Sequence, residues 1–188
     1  MKRVAMIPTA EATIGPFFPP RYVDAGANDL TAFAGRKAQG EVIEISGCVR
    51  QEDGAALDNL VLEIWQADAQ GIFRHPADPR CAQADPDFLG WGRAATDARG
   101  DYVFRTIRPG APEGRAPHVN FMVMFSGLMR ILKTTMYFEG EKGNAADPVL
   151  GVVPLSRQEL LISRKEKPGR YRFDIRLRGE NETPFFDD

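Results

Sequence analysis

The sequence predicts an all-β fold, a two-sheet β-sandwich with an irregular N-terminal arm and long loops. Three observations predict it. Short runs rich in β-branched and aromatic residues recur along the 188 residues, clusters of Gly, Pro and Asp separate them, and no stretch sustains the hydrophobic period of a helix. That length suits one domain with a single sizeable core. A composition of 43% hydrophobic and 27% charged residues is that of a globular chain, with no membrane-length apolar run. The net charge of -2 gives no electrostatic reason to expect nucleic acid or an anionic lipid surface as partner.

Taken in order, residues 1–40 read as an arm. Pro8, Pro16, Pro19 and Pro20 deny regular helix or central strand to an otherwise apolar stretch, because proline lacks the donor and fixes its backbone angle. Such a segment must lie along a surface. It either covers the domain's own core or inserts Phe17 and Phe18 into another subunit. Lys2 and Arg3 precede an apolar patch that Pro8 cuts short, too short for a signal-peptide core, so a cytoplasmic location is expected.

Residues 41–188 read as the sandwich itself. Glu41 to Val49 is a β-branched strand that stops at the turn Glu52-Asp53-Gly54. The next run sets Leu60, Leu62 and Ile64 on one face and Val61, Glu63 and Trp65 on the other, the alternation of a half-buried strand. Residues 67–96 read as one long connection. Strands follow at 100–107, 119–125 and 134–138, and 159–165 pairs with 171–177 as a hairpin across Lys167-Pro168-Gly169-Arg170. The one helical turn is expected at Asp147-Pro148-Val149-Leu150, with Asp as cap and Pro at the first helical position.

The chemistry is thin. There is no phosphate loop, no dinucleotide-binding glycine triplet and no nucleophile elbow. Cys48 falls in a strand and Cys81 in a polar loop; neither suggests a disulfide framework, and reduced thiols are expected. Cys81 with His75 has no recognised nucleophile geometry. The informative stretch is Arg115-Ala116-Pro117-His118-Val119-Asn120-Phe121. A strand opening His-x-His would turn two imidazoles to one side as half a metal site, but Asn120 stands in the second position and an amide oxygen is a weak neutral ligand. His118 alone is expected to be a strand residue bonded to nearby backbone.

Several ordered motifs together resemble the intradiol ring-cleavage dioxygenases. They are Thr13-Ile14-Gly15-Pro16-Phe17, Leu62-Glu63-Ile64-Trp65-Gln66-Ala67-Asp68 with Gly71, Phe88-Leu89-Gly90-Trp91-Gly92-Arg93, Thr106-Ile107-Arg108-Pro109-Gly110, Ala116-Pro117-His118, Tyr137-Phe138 and Tyr171-Arg172-Phe173-Asp174-Ile175-Arg176. The resemblance runs to the tail at Phe186. It implies a ferric iron held by two tyrosinates and two histidines in the catalytic chains. Here Phe73 falls where the first tyrosine is implied, 111–115 contains no tyrosine for the second, and Asn120 replaces the second histidine. The resemblance is therefore to the non-iron alpha-type chain of the family's two-chain, protocatechuate-cleaving members.

That resemblance implies a heteromer in which a homologous beta subunit binds Fe(III) and opens protocatechuate with dioxygen to 3-carboxy-cis,cis-muconate. No catalytic or metal-binding residue is then expected in this chain. Its implied contribution is to line the partner's substrate pocket with Thr13, Gly15 and Pro16 of the arm. An arginine is implied just before the glycine of the loop after the His118 strand, yet that position is Ser126; Arg130, three residues beyond Gly127, becomes the candidate for a carboxylate contact. Two other readings stay open. One is a freestanding β-sandwich that binds a ligand or partner without catalysis. The other is a self-sufficient enzyme whose metal site is rebuilt from His75, His118 and two of Tyr22, Tyr102, Tyr137 and Tyr171.

Overall fold

Alternating side chains on paired strands sort themselves into a buried and an exposed face, and this chain does so in two layers. A computed structural model describes residues 14–15, 23, 26–33 and 35–187. Two short strands come first, β1 (Ala32–Phe33) and β2 (Arg36–Lys37), which pair with each other. Then come β3 (Val42–Arg50), β4 (Val61–Gln66), β5 (Trp91–Ala95), β6 (Asp101–Ile107), β7 (His118–Met124) and β8 (Leu132–Phe138). After two short helices, α1 (Pro148–Gly151) and α2 (Leu155–Gln158), the chain ends in β9 (Ile162–Lys167), β10 (Arg170–Arg172) and β11 (Ile175–Arg176).

One layer runs β6-β3-β10-β9, with β11 continuing alongside the far end of β3. The other runs β5-β4-β7-β8-β9. Strand β9 pairs with both β10 and β8, so the two layers join along one edge. Inward-facing Ile43, Ile45, Phe104 and Tyr171 of the first layer meet Leu62, Ile64, Phe121 and Met136 of the second in one core. The expected two-sheet sandwich is the observed fold.

Most of the strands fall where alternation puts them, and β4 buries Leu62 and Ile64 while Glu63 and Trp65 stay partly exposed. Several elements differ from expectation, among them a second helical turn, α2, beyond the one expected at Asp147, and the paired strands β1 and β2 within the arm. Residues 91–95 form a strand, β5, inside what reads as a connection, because β4 offers a free edge that pairs Val61 to Trp65 with it. Glu159–Leu161 is a short 3-10 helix that continues α2 and buries Leu161, so the strand starts at Ile162. The run from Tyr171 breaks into β10 and β11 where Phe173 turns into the core and Asp174 accepts from Cys48 N. The turn at Asp147 is as expected, with its carboxylate capping Val149 and Leu150 N–H and Pro148 at the first helical position.

Within the described residues 26–33 and 35–40 the chain packs back on its own sandwich. Leu30 is buried in the core, its N–H donates to Arg105 O at 2.8 Å, and Arg93 N donates to Ala27 O. Leu30 occupies the space that a side chain at residue 92 would need, which is why that strand position is Gly92. Thr13, Pro16, Phe17 and Phe18 lie outside the described residues. Among the described residues no helix is long and apolar enough to cross a membrane.

Candidate functional site

The outer face of the second layer carries the polar residues that the core excludes. Strand register aligns Trp65 with Asn120 and Asn120 with Thr135, and sets His118 opposite Tyr137 in the adjacent row. His118 and Asn120, two residues apart, point to this same side. A cavity of about 410 Å³ opens above them, walled by Trp65, Phe73, His75, Arg115, His118 and Asn120 among others.

The loop after β4 supplies the opposite wall, and its polar groups hold it there. Asp68 accepts from Gln70 N and Ile72 N through one oxygen and from Asp85 N through the other. Gly71 sits at φ +76 with the Ala111 carbonyl where a Cβ would stand, so only glycine lets this loop lie against the 108–115 segment. Asp78 accepts from Phe73 N at 3.0 Å and Arg80 N at 2.8 Å, which keeps its carboxyl below the usual carboxylate range. The rings then form a continuous aromatic wall: Trp65 to Phe73 at 5.0 Å, Trp65 to His75 at 5.5 Å, Phe73 to His118 at 6.1 Å and His118 to Tyr137 at 6.0 Å between centroids.

Beneath that wall lies a closed polar knot. Asp147 Oδ2 accepts from Arg115 Nε and Ala116 N, both at 2.8 Å, and its Oδ1 accepts from Tyr137 OH at 2.9 Å and from the helix N–H groups of Val149 and Leu150. Arg115 also donates to the Tyr137 oxygen at 2.9 Å. Burial pushes the Asp147 carboxyl up, but Arg115 and the backbone donors outweigh it and hold it at about 2. Burial raises the Tyr137 phenol well above its ordinary value, so it stays protonated.

His118 Nδ1 lies 2.7 Å from Ala116 O. A carbonyl only accepts, so Nδ1 carries the proton and Nε2 presents a lone pair. That is the backbone-bonded strand histidine the sequence suggests. Burial holds its pKa below the ordinary imidazole value. Asn120 Oδ1 accepts from Thr135 Oγ1 at 3.1 Å, leaving its Nδ2 donors toward the cavity.

Ferric iron wants hard anionic oxygens, and the donor set here does not fit it. Phe73 has no oxygen, Tyr137 is a protonated phenol tied to Asp147, and the Asn120 oxygen is engaged by Thr135. Among the described residues no group of three or more His, Cys, Asp or Glu side chains is placed to hold a metal ion. Of the third reading's residues, His75 and His118 line this cavity and Tyr137 stands beside His118, its hydroxyl bonded to Asp147. Tyr102 donates to the Phe173 carbonyl and Tyr171 is bonded by Arg108, both within the main core, while Tyr22 lies outside the described residues. Cys81 is exposed in the loop of residues 67–90 and Cys48 is buried in β3.

Of the positions expected to line a partner's pocket, the described ones, Gly15 and Arg130, are not among the residues lining this cavity. Arg130, in the turn between β7 and β8, pairs with Asp187 at 2.6 Å on the rim of another cavity. Gly15 is half-buried at φ +66, a backbone state that favours glycine. Thr13 and Pro16 are outside the described residues. Arg115, Tyr137 and Asp147 carry the site's electrostatics, yet in the sequence they are only a strand flank, a strand residue and a helix cap.

The two-layer sandwich is a fold shared with ring-cleaving dioxygenases, and comparison with known proteins agrees. The family described as Dioxygenase matches residues 14–179, and the chain belongs to the intradiol dioxygenase family. Within it, the chain is 37% identical over 193 residues to the protocatechuate 3,4-dioxygenase alpha chain of Burkholderia cepacia, covering 95% of this chain and 96% of that one. It is 39% identical over 173 residues to the beta chain from the same organism, covering 84% of this chain and 74% of the other. The solved dioxygenase domain of a dioxygenase carbohydrate-binding fusion from Streptomyces matches with a TM-score of 0.62 and 26% identity over 95% of this chain and 100% of that domain.

Proposed function

We propose that this chain is the non-iron alpha subunit of a protocatechuate 3,4-dioxygenase, which supports and lines the active site of an iron-bearing beta subunit. The observation that carries this reading is the donor set of the outer-face cavity, with Phe73, Asn120 and a sequestered Tyr137 around the single buried imidazole of His118. The end-to-end likeness to an alpha chain supports it, since the beta-chain likeness leaves a quarter of that relative uncovered.

In the complex, Fe(III) in the beta subunit supplies the Lewis-acid chemistry that opens protocatechuate with dioxygen to 3-carboxy-cis,cis-muconate. This chain contributes shape and charge. The arm, residues 1–40, brings Thr13, Gly15 and Pro16 to the rim of the partner's pocket, where a glycine backbone without a Cβ can lie close to a flat ring. Arg130 offers a guanidinium to the substrate carboxylate once it leaves Asp187. The assembly works in the cytoplasm.

Ferric tyrosinate is coloured, which makes the test simple. The chain purified alone is expected to be colourless, free of iron and inactive toward protocatechuate. Coexpressed with a family member that carries the missing tyrosines and histidines, it should copurify as a coloured, active heteromer. Stoichiometric iron and ring cleavage by the lone chain would overturn the proposal.

A further inference from the structure

The cavity over His118 and Asn120 retains the features of a binding site although its donors do not suit iron. We propose that it binds a small, uncharged hydroxylated aromatic molecule through the ligand's hydroxyl group, without a metal.

His118 is 3% exposed, and among the described residues its Nε2 has no hydrogen-bond partner. Two residues along the same strand face, Asn120 presents Nδ2 with no acceptor among the described residues. The site therefore offers one acceptor and one donor side by side. A hydroxyl both donates and accepts, so it satisfies the pair at once; a carboxylate has no proton for the lone pair of a neutral imidazole, and an ammonium has no lone pair for the amide. His118 Nε2 and Asn120 Nδ2 both reach the open cavity, where a ligand that matches the donor and the acceptor together replaces water at each.

The walls select the rest of the molecule. Trp65 and Phe73 present ring faces and edges to the same space, and His75 closes the outer end against Trp65. A volume of about 410 Å³ takes a single ring with small substituents. Charge selects too. Arg115 is neutralised by Asp147 at 2.8 Å and Arg80 by Asp78 at 3.4 Å, while Glu113 adds a carboxylate to the rim. Among the described residues no lining arginine is left unpaired for an anionic ligand, which favours a neutral occupant.

This inference stands on the cavity and does not depend on the subunit reading. The test titrates 4-methylphenol, 4-methylanisole and benzoate into the chelator-treated full chain and into the coexpressed complex by calorimetry, with Trp fluorescence as a second readout. In the complex, ligand arriving at the partner's iron is followed separately by the change in colour. The expected result is one 4-methylphenol site per chain, insensitive to chelator, with 4-methylanisole and benzoate each at least about tenfold weaker, the scale of a lost hydrogen bond. Asn120→Leu should erase the preference for the phenol over its methyl ether while fluorescence and calorimetric unfolding show a folded chain. His118→Phe should do the same, and if it fails to fold, Asn120→Leu decides.

Equal affinity for phenol and ether, or no site in the chelator-treated chain, overturns the inference and leaves the subunit reading intact. Binding that requires added ferric ion overturns both.

Discussion

Two polar clusters lie next to each other on the outer face of the β7 layer and differ in one respect. Around Asp147 every oxygen is engaged, by Arg115, Tyr137, Ala116 N and the first turn of α1. Around His118 and Asn120 one side of each group is satisfied, by Ala116 O and Thr135, and the other faces the cavity. A saturated cluster holds structure together, because a buried charge with all its donors is costly to disturb. A half-satisfied one waits for something from outside. The first cluster fixes Arg115 and Ala116 at the start of β7, and so fixes where the second one points.

The largest expected effect breaks the saturated side. Asp147→Ala removes a buried carboxylate and strands a half-buried guanidinium, a phenol and three backbone donors, and should lower the unfolding free energy by about 3 kcal/mol, toward the low end of the cost of breaking a buried pair. Urea denaturation checks it. A loss below about 1 kcal/mol would mean that the cluster is not holding α1 to β7.

Acid probes the same carboxylate without mutation. Its pKa is about 2 in the folded chain against an ordinary 3.8. A depressed carboxyl stabilises the fold fully above its unfolded pKa and loses that contribution as pH falls through the folded one. The window is therefore pH 4 down to 2, and the loss about 2 kcal/mol. Asp147→Asn should flatten this part of the stability–pH curve, measured by denaturant titration at each pH.

The open side should behave differently. Asn120→Leu removes one neutral hydrogen bond to Thr135, so about 1–2 kcal/mol of stability is at stake, less than for the charged cluster. Binding of a neutral phenol is where that variant should register. If Asn120→Leu unfolds the chain as readily as Asp147→Ala, the contrast between the clusters fails.

The sequence reveals one cluster far better than the other. His118 and Asn120 share a strand, so period-two geometry alone puts them side by side and exposes the missing imidazole. Asp147 reads as a helix cap, and it is one, but its bonds to Arg115 and Ala116 cross more than thirty residues of chain and leave no local trace. The fold shows the same division. Strands with alternating apolar residues, such as β4 and β7, announce themselves. Strand β5 does not, because Gly92 answers to Leu30 packed against it, and Glu63 with Arg93 and Trp91 forms a polar outer row that looks like loop. Leu161 reads as the start of a strand because its burial against Tyr137 and Leu150 comes from tertiary packing, not from period.

The smallest expected effect on stability separates structure from service to a partner. Arg130 and Asp187 form an ion pair whose side chains are 60% and 76% exposed, so water screens it and Arg130→Ala should change the unfolding free energy by no more than about 0.5 kcal/mol. An arginine so lightly used by its own chain is available to another molecule. If it meets the substrate carboxylate at the partner's pocket, Arg130→Ala in the assembled heteromer should raise KM for protocatechuate about tenfold or more and leave KM for catechol, which has no carboxylate, unchanged, since a charge-assisted bond is worth about 1.5–3 kcal/mol. Steady-state kinetics on both substrates reads this directly. Equal KM values for wild type and variant on both substrates would confine Arg130 to the surface pair and leave the pocket rim to Thr13, Gly15 and Pro16, whose contribution rests on backbone shape instead of charge.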